Sequence, residues 1–443
     1  MDNLTRPDPD TAYAQWTQAC AHAGWQPRDG AQASADGDRD TEQVPLADGL
    51  GRVTARLVTA RWPSPREDCA AMDGIAIGAG SLNWGGVLED TASGLRVAPA
   101  DFTWIDTGDP LPPGTDTVIK REQVTVDGDG YAVIGLPATG PGAQNAENAM
   151  SPACLQPGHH VRRRGEDFAA GQVLVPEGRR LRPADLAVAA SAGHPVITVT
   201  RQPSVVIIPT GDEIRSVDRL SGGPLSADAL PADTLPKSGE IIDSNSVWLA
   251  ARCVQAGARP AVTGIIPDDP DLLAAALREA AVSADLVLVI AGSSRGRDDY
   301  TGAVLAQVGG LTVTGVAVRP GHPAILGYAK SPVTGTVPVV GLPGYPIATA
   351  VTFELFAAPL LAEIQGDETK PVLRPATLAK GWTSKPGIEE WVPVMLSQDG
   401  SATPAGHGAS STSHLATATA WWRIPPGRSH FPPGSEITVR PWD

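Results

Sequence analysis

Residues 203–364 alternate short β-branched runs with stretches of helical spacing. Runs at 205–208, 261–265 and 286–290 read as strands, and 243–256, 271–283 and 301–308 as helices. The segment 338–346, Pro-Val-Val-Gly-Leu-Pro-Gly-Tyr-Pro, is an apolar strand that breaks into a Gly/Pro turn before a helical stretch at 347–364. Such alternation predicts a parallel sheet covered by helices on both faces. In that architecture ligands bind outside the carboxyl ends of the strands. The loops within 204–213, 285–296 and 338–346 are therefore expected to converge on one pocket.

Outside this block the pattern changes. Residues 13–25 have helical spacing, and the polar, acidic stretch 26–43 reads as a mobile insertion. The stretch 46–60 has helical spacing interrupted by glycines and stays undecided between states. Residues 74–148 are rich in Gly and Pro, with short β-branched runs at 116–119 and 131–134, and read as a small all-β module. Turns, short strands and one helix near 183–192 follow within 158–201. Residues 215–238, rich in Pro, Ser and Asp, read as a loop insertion, and 371–443 as a final small β-barrel or sandwich. No internal repeat is evident.

Composition narrows the function classes. A net charge of −15 opposes sequence-independent binding to nucleic acid or to an anionic membrane, since both need clustered Lys and Arg. Cys20, Cys69, Cys154 and Cys253 lie far apart without Cys-x-x-Cys spacing, which opposes a disulfide framework or zinc ribbon and favours a reducing compartment. The acidic start lacks the regions of a signal peptide, and the apolar run at 286–291 is too short to span a bilayer. A soluble, cytoplasmic protein is expected.

Several clusters carry candidate chemistry. In Thr210-Gly211-Asp212-Glu213 the carboxylates sit where a strand ends, suited to acid–base or metal chemistry; the same residues equally make a helix capping box. In Gly292-Ser293-Ser294-Arg295-Gly296-Arg297-Asp298-Asp299 small residues let backbone N–H groups approach a phosphate, and two arginines strengthen that preference. A plain glycine-rich connection is the alternative. The loop matches neither a P-loop nor Gly-x-Gly-x-x-Gly, which disfavours nucleotide hydrolysis and NAD binding. Arg319-Pro320-Gly321-His322-Pro323 offers a tetrahedral oxyanion a guanidinium and an imidazole, or is simply a surface turn. His159 and His160, beside Arg162, Arg163 and Arg164, read as a solvated basic turn, and Asp268 and Asp269 as caps for a helix opened by Pro270.

Taken in order, these motifs resemble the molybdopterin molybdenumtransferase family (MoeA type, which includes the gephyrin E domain). The resemblance runs from about residue 49 to the end. It includes Ala71-Met72-Asp73-Gly74, Asp106-Thr107-Gly108-Asp109-Pro110-Leu111-Pro112, Arg162-Arg163-Arg164-Gly165-Glu166-Asp167 and Thr210-Gly211-Asp212-Glu213. It continues through Asp243-Ser244-Asn245, Pro267-Asp268-Asp269-Pro270, the Gly292 loop, the Arg319 turn and Gly341-Leu342-Pro343-Gly344. It implies an elongated four-part subunit: residues 1–65 with 150–200 as a dimerisation region, 66–149 as a small β domain, 201–368 as a three-layer α/β/α molybdopterin-binding domain with a mostly parallel sheet, and 369–443 as a C-terminal β-barrel. It also implies a homodimer whose clefts join the α/β domain of one chain to the Met72 region of the other.

The chemistry implied is insertion of molybdenum or tungsten, from molybdate or tungstate, into adenylylated molybdopterin, with AMP released and Mg²⁺ assisting. The molybdopterin adenylyltransferase is a possible protein partner. The resemblance assigns catalysis to Asp73, Thr107, Asp167, Glu213 and Asp299, and metal binding to Asp73, Glu213 and Asp298. Ligand binding falls to Gly292, Ser293, Ser294, Arg295, Gly296, Asp298, Arg319, His322, Pro343, Pro346 and Ser410. The chain departs from the family where Arg319 and His322 replace lysines, where Tyr345 replaces an asparagine, and where Gly302 and Pro393 stand at positions usually basic. These departures bear on oxyanion affinity, and His322 makes one charge pH-dependent. Competing readings are a paralogue that binds, stores or senses molybdopterin without metal insertion, and a scaffold.

Overall fold

The computed structural model describes residues 6–26, 41–79, 95–134, 156–217, 236–291, 300–406 and 408–442. Its largest unit is a six-stranded sheet in the order Arg259–Val262, Ser204–Pro209, Leu286–Ala291, Gly335–Pro343, Ile325–Ser331 and Gly309–Thr314. The first four strands are parallel. The last two run antiparallel and extend the sheet beyond the parallel block read from the sequence.

Alternation along the central strands sends residues to opposite faces. Ile207, Leu286, Leu288, Val340 and Leu342 join one core with Leu249 and Cys253 of helix Asn245–Gln255 and with Phe353, Phe356 and Leu360. Ile208, Val287, Val289 and Val339 join the other with Leu273 and Leu277 of helix Pro270–Ala280 and with Val304 and Leu305 of helix Thr301–Val308. Buried on both sides, these strands read as continuous apolar runs.

The first helix, Pro9–His22, covers the same face as Phe353 although it stands at the start of the chain. Asp8 caps it by accepting from Thr11 N at 2.9 Å. Trp16, fully buried, donates its indole N–H to the Gly327 carbonyl at 2.7 Å. Residues 41–43, read as part of an insertion, belong instead to strand Thr41–Pro45, which pairs with Val196–Thr200; 27–40 lie outside the described residues. The undecided stretch 46–60 forms a 3₁₀ turn, Leu46–Asp48, and the short strand Val58–Thr59. Two three-stranded sheets, one centred on Gly74–Ile77 and the other on Ala132–Ile134, make the small β unit.

Near the C-terminus, strands Arg374–Leu378, Glu389–Leu396, Ser401–Pro404, Ala420–Ile424 and Glu436–Pro441 close into a five-stranded barrel. Closure leaves no free strand edge among them. Val318–Arg319, which follows the edge strand Gly309–Thr314 of the large sheet, pairs in parallel with Glu389–Glu390 and so ties the barrel to the α/β unit.

The continuous helical segment 346–365 is long and apolar enough to cross a membrane, with mean hydropathy 1.6, yet 78% of it is buried inside the protein, so it is the core helix of the large unit. A π-turn, Phe353–Ala357, interrupts it and carries the buried Glu354. Glu354 accepts from Arg252 Nε at 2.7 Å and from Arg440 of the barrel, so one carboxylate holds two units together. Removing one member of a buried ion pair strands the others at a cost of about 3 kcal/mol. Glu354→Ala is therefore expected to lower the denaturant midpoint clearly; an unchanged midpoint would contradict this role.

Candidate active site

The carboxyl ends of strands Ser204–Pro209, Leu286–Ala291 and Gly335–Pro343 open onto a cavity of about 1060 Å³. Pro209, Ile290 and Pro343 mark the three strand ends in its wall, so the described parts of the three loops do converge. The barrel supplies the opposite side through Trp382, Glu390, Trp391, Pro393 and Ser410.

Glu213 reaches the wall because Gly211 turns the chain with φ +134°, a conformation that favours glycine. A Cβ there would lie 2.7 Å from Ile214 and 3.0 Å from the Glu213 carboxylate. Thr210 anchors the turn, donating its hydroxyl to the Ile290 carbonyl at 2.9 Å. The short strand Ile214–Arg215 follows directly in place of a helix, so the capping-box alternative is not realised. Asp243 stands before helix Asn245–Gln255, where its Oδ1 accepts from Ser246 N at 2.9 Å. Asn245 Nδ2 donates to the Gly344 carbonyl at 2.8 Å and thereby links two loops of the wall. Pro346 opens the long helix, whose Ile347 N–H donates to Ala409 of the barrel at 2.9 Å.

Arg319 and His322 both line the cavity and are exposed to it. The Arg319 Nε lies 4.0 Å from Oε1 of the buried Glu390, whose other oxygen accepts from Trp382 Nε1 at 3.2 Å. Gly321 between them, at φ +111°, sits against the buried Thr352. Among the described residues of the wall, Arg319 and His322 face three carboxylates, Glu213, Asp243 and Glu390. Sequence reasoning had missed Glu390, Trp382 and Trp391; paired glutamates inside an otherwise apolar β run were the available signal.

Of the residues expected in the site, Glu213, Arg319, His322, Pro343, Pro346 and Ser410 share this cavity. Gly292, Ser293, Ser294, Arg295, Gly296, Asp298 and Asp299 lie outside the described residues. Asp73, Thr107 and Asp167 are exposed and do not line the cavity of their own chain. No group of three His, Cys, Asp or Glu side chains suited to a metal ion occurs among the described residues, and Asp298 lies outside them. The carboxylates available in the cavity, Glu213 and Asp243, still suit Mg²⁺, which is usually held by one or two carboxylates plus substrate phosphates.

Asp73 forms a second focus on the small β unit. Its Oδ1 accepts from the Thr107 hydroxyl at 2.6 Å and amide at 2.7 Å. Those bonds, with a smaller contribution from Arg121, hold its carboxyl below the usual range. In the basic turn expected here Arg162, Arg163 and Arg164 are exposed, whereas His159 and His160 are half-buried. Their half-buried rings lie 3.8 Å apart, tilted by 40°, and burial followed by neighbouring positive charge pushes both imidazoles below the usual value. Both effects favour the neutral imidazole, which attracts a phosphate less than the charged form does. Asp269 does cap helix Pro270–Ala280, while Asp268 accepts from Tyr300 OH at 3.2 Å.

A three-layer α/β unit with a cavity at its strand ends, closed by a barrel and carrying a small β unit, defines a multidomain α/β protein with a ligand-sized cavity. Three family models cover nearly all of the chain: "MoeA N-terminal region (domain I and II)" over 13–193, "Probable molybdopterin binding domain" over 206–363 and "MoeA C-terminal region (domain IV)" over 375–442. A molybdopterin molybdenumtransferase of Nostoc sp. is 30% identical over 360 residues, 78% of this chain and 72% of that one. Molybdopterin molybdenumtransferase 2 of Mycobacterium tuberculosis is 31% identical over 423 residues, 90% of this chain and 94% of that one. The molybdopterin biosynthesis MoeA protein from Pyrococcus horikosii superposes with a TM-score of 0.70 at 26% identity, over 99% of this chain and 100% of that one. The chain belongs to the molybdopterin molybdenumtransferase (MoeA) family, transferases of molybdenum cofactor biosynthesis.

The Asp73–Thr107 pair can be tested directly. A folded-state pKa below the unfolded one stabilises above the ordinary carboxylate value of ~3.9, and that contribution is lost as pH falls through the folded value. Thr107→Val should raise the Asp73 pKa toward the ordinary value in a carboxyl NMR titration. An unmoved Asp73 resonance midpoint would show that Thr107 is not the cause.

Proposed function

We propose that the cavity binds adenylylated molybdopterin and that the protein inserts molybdenum or tungsten from the oxyanion into the pterin dithiolene, releasing AMP. The observation that carries this reading is the gathering of Glu213, Arg319, His322 and Ser410 around one cavity large enough for an extended pterin nucleotide. Arg319 offers the oxyanion a planar fork of N–H donors, and His322 adds positive charge when protonated. Glu213 and Asp243 would hold Mg²⁺ with the substrate phosphates, and the ion would neutralise charge developing on the anhydride. Pro343 and Pro346 stiffen the wall between them.

The reading extends to a homodimer in which Asp73, Thr107 and Asp167 of a second copy complete each site. Exposed Met72 and Trp104, 41% and 48% accessible, near the ionised Asp73 support a buried role for that surface. It divides the subunit into 1–65 with 150–200, 66–149, 201–368 and 369–443. It also carries a cytoplasmic location, in keeping with free thiols at Cys20, Cys69 and Cys253, and docking with the adenylyltransferase that supplies the substrate. The three carboxylates facing Arg319 and His322 favour, as a second reading, a paralogue that retains the pterin without inserting metal.

Purified protein given the adenylate with molybdate, tungstate or neither should release AMP only with an oxyanion. Arg319→Ala and Glu213→Gln should each lower that release by about a hundredfold. Full release by both variants would remove these roles, and retention of the adenylate without release under all three conditions would establish the second reading.

A further inference from the structure

We propose that the Tyr345 side chain is a stacking platform for a flat heteroaromatic ring of the substrate, adenine or pterin; the inference rests on the function proposed above. Tyr345 lines the cavity with 57% of its surface exposed. The two indoles of the described wall differ from it: Trp382 and Trp391 are each 6% exposed, with their N–H groups committed to Glu390 and Glu389. Tyr345 therefore presents to the cavity an aromatic surface that these indoles withhold.

The main chain beneath the ring is fixed on both sides. The Gly344 carbonyl accepts from Asn245 Nδ2 at 2.8 Å. The Tyr345 carbonyl accepts from the Thr349 amide at 2.8 Å and from its hydroxyl at 3.1 Å. Pro346 follows with its backbone φ restricted by the ring. A tyrosine has two side-chain torsions to settle, so ordering it against a ligand costs little entropy. Its π-face accepts any heterocycle in an offset stack and discriminates weakly by hydrogen bonding. Tyr345 would thus hold the substrate's flat end while Arg319 and Glu213 meet its charged groups.

Because the helix start uses the Tyr345 main chain and not its ring, alanine at this position keeps the local fold. Wild type, Tyr345→Phe and Tyr345→Ala would be titrated calorimetrically with adenylylated molybdopterin, with AMP and with a free pterin. The alanine variant is expected to bind the adenylate roughly tenfold more weakly, and phenylalanine to restore it. A matching loss confined to AMP names adenine as the stacked ring, and one confined to the pterin names the pterin. Unchanged affinity of the alanine variant where wild type binds overturns the stacking and leaves the proposed function standing. Equal loss in the phenylalanine variant assigns the effect to the hydroxyl and also overturns it. Wild type that binds none of the three probes overturns both.

Discussion

Arg319 enters the cavity from a two-residue strand that pairs with the barrel and not with its own sheet. That pairing sets the distance between the strand ends of the α/β unit and the barrel wall, and so the width of the space between them. The Ile347 to Ala409 bond and the Glu354 to Arg440 pair hold the same joint from two further directions. A parallel bridge of two residues is weak alone. Three attachments around one cavity make its geometry cooperative, since loosening any one shifts side chains from both units.

The electrostatics of the cavity follow from this joint. Glu390 lies on the barrel strand that pairs beside Arg319, so the guanidinium is near a buried carboxylate before any ligand arrives. Among the described residues of the wall, Arg319 and His322 stand against three carboxylates, Glu213, Asp243 and Glu390. On the small β unit Arg121 lies near Asp73 and helps to keep that carboxyl ionised.

Much of this was legible in the chain. The helix expected at 301–308 is the helix observed, because apolar residues at helical spacing and a glycine at its end left one solution. The apolar runs at 205–208 and 286–290 became central strands because both faces had to be buried. Strands Ile325–Ser331 and Gly309–Thr314 escaped notice since Gly309, Gly310 and Gly327 interrupt their pattern. The glycines are there for packing: a Cβ on Gly310 would lie 2.4 Å from the Tyr328 ring. In the site, Glu213, Arg319 and His322 were found through motif order. Glu390 was not, because its neighbour Arg319 is distant in sequence and spacing carries no information about such pairs. The helical spacing read at 13–25, where the helix runs Pro9–His22, gave no hint of which surface it would cover, for the same reason.

That first helix has a consequence for how the chain is made. Trp16 is bonded to a carbonyl 311 residues further on, in the last strand but one of the sheet it covers. At synthesis rates of about 5–20 residues per second, the helix emerges roughly 15–60 s before its partner exists. During that interval Trp16 and Cys20, fully buried at the end, have nothing to bury them. The α/β unit cannot complete its core as an independent C-terminal fragment, and a ribosome-bound nascent chain must keep its opening residues available until the sheet is assembled.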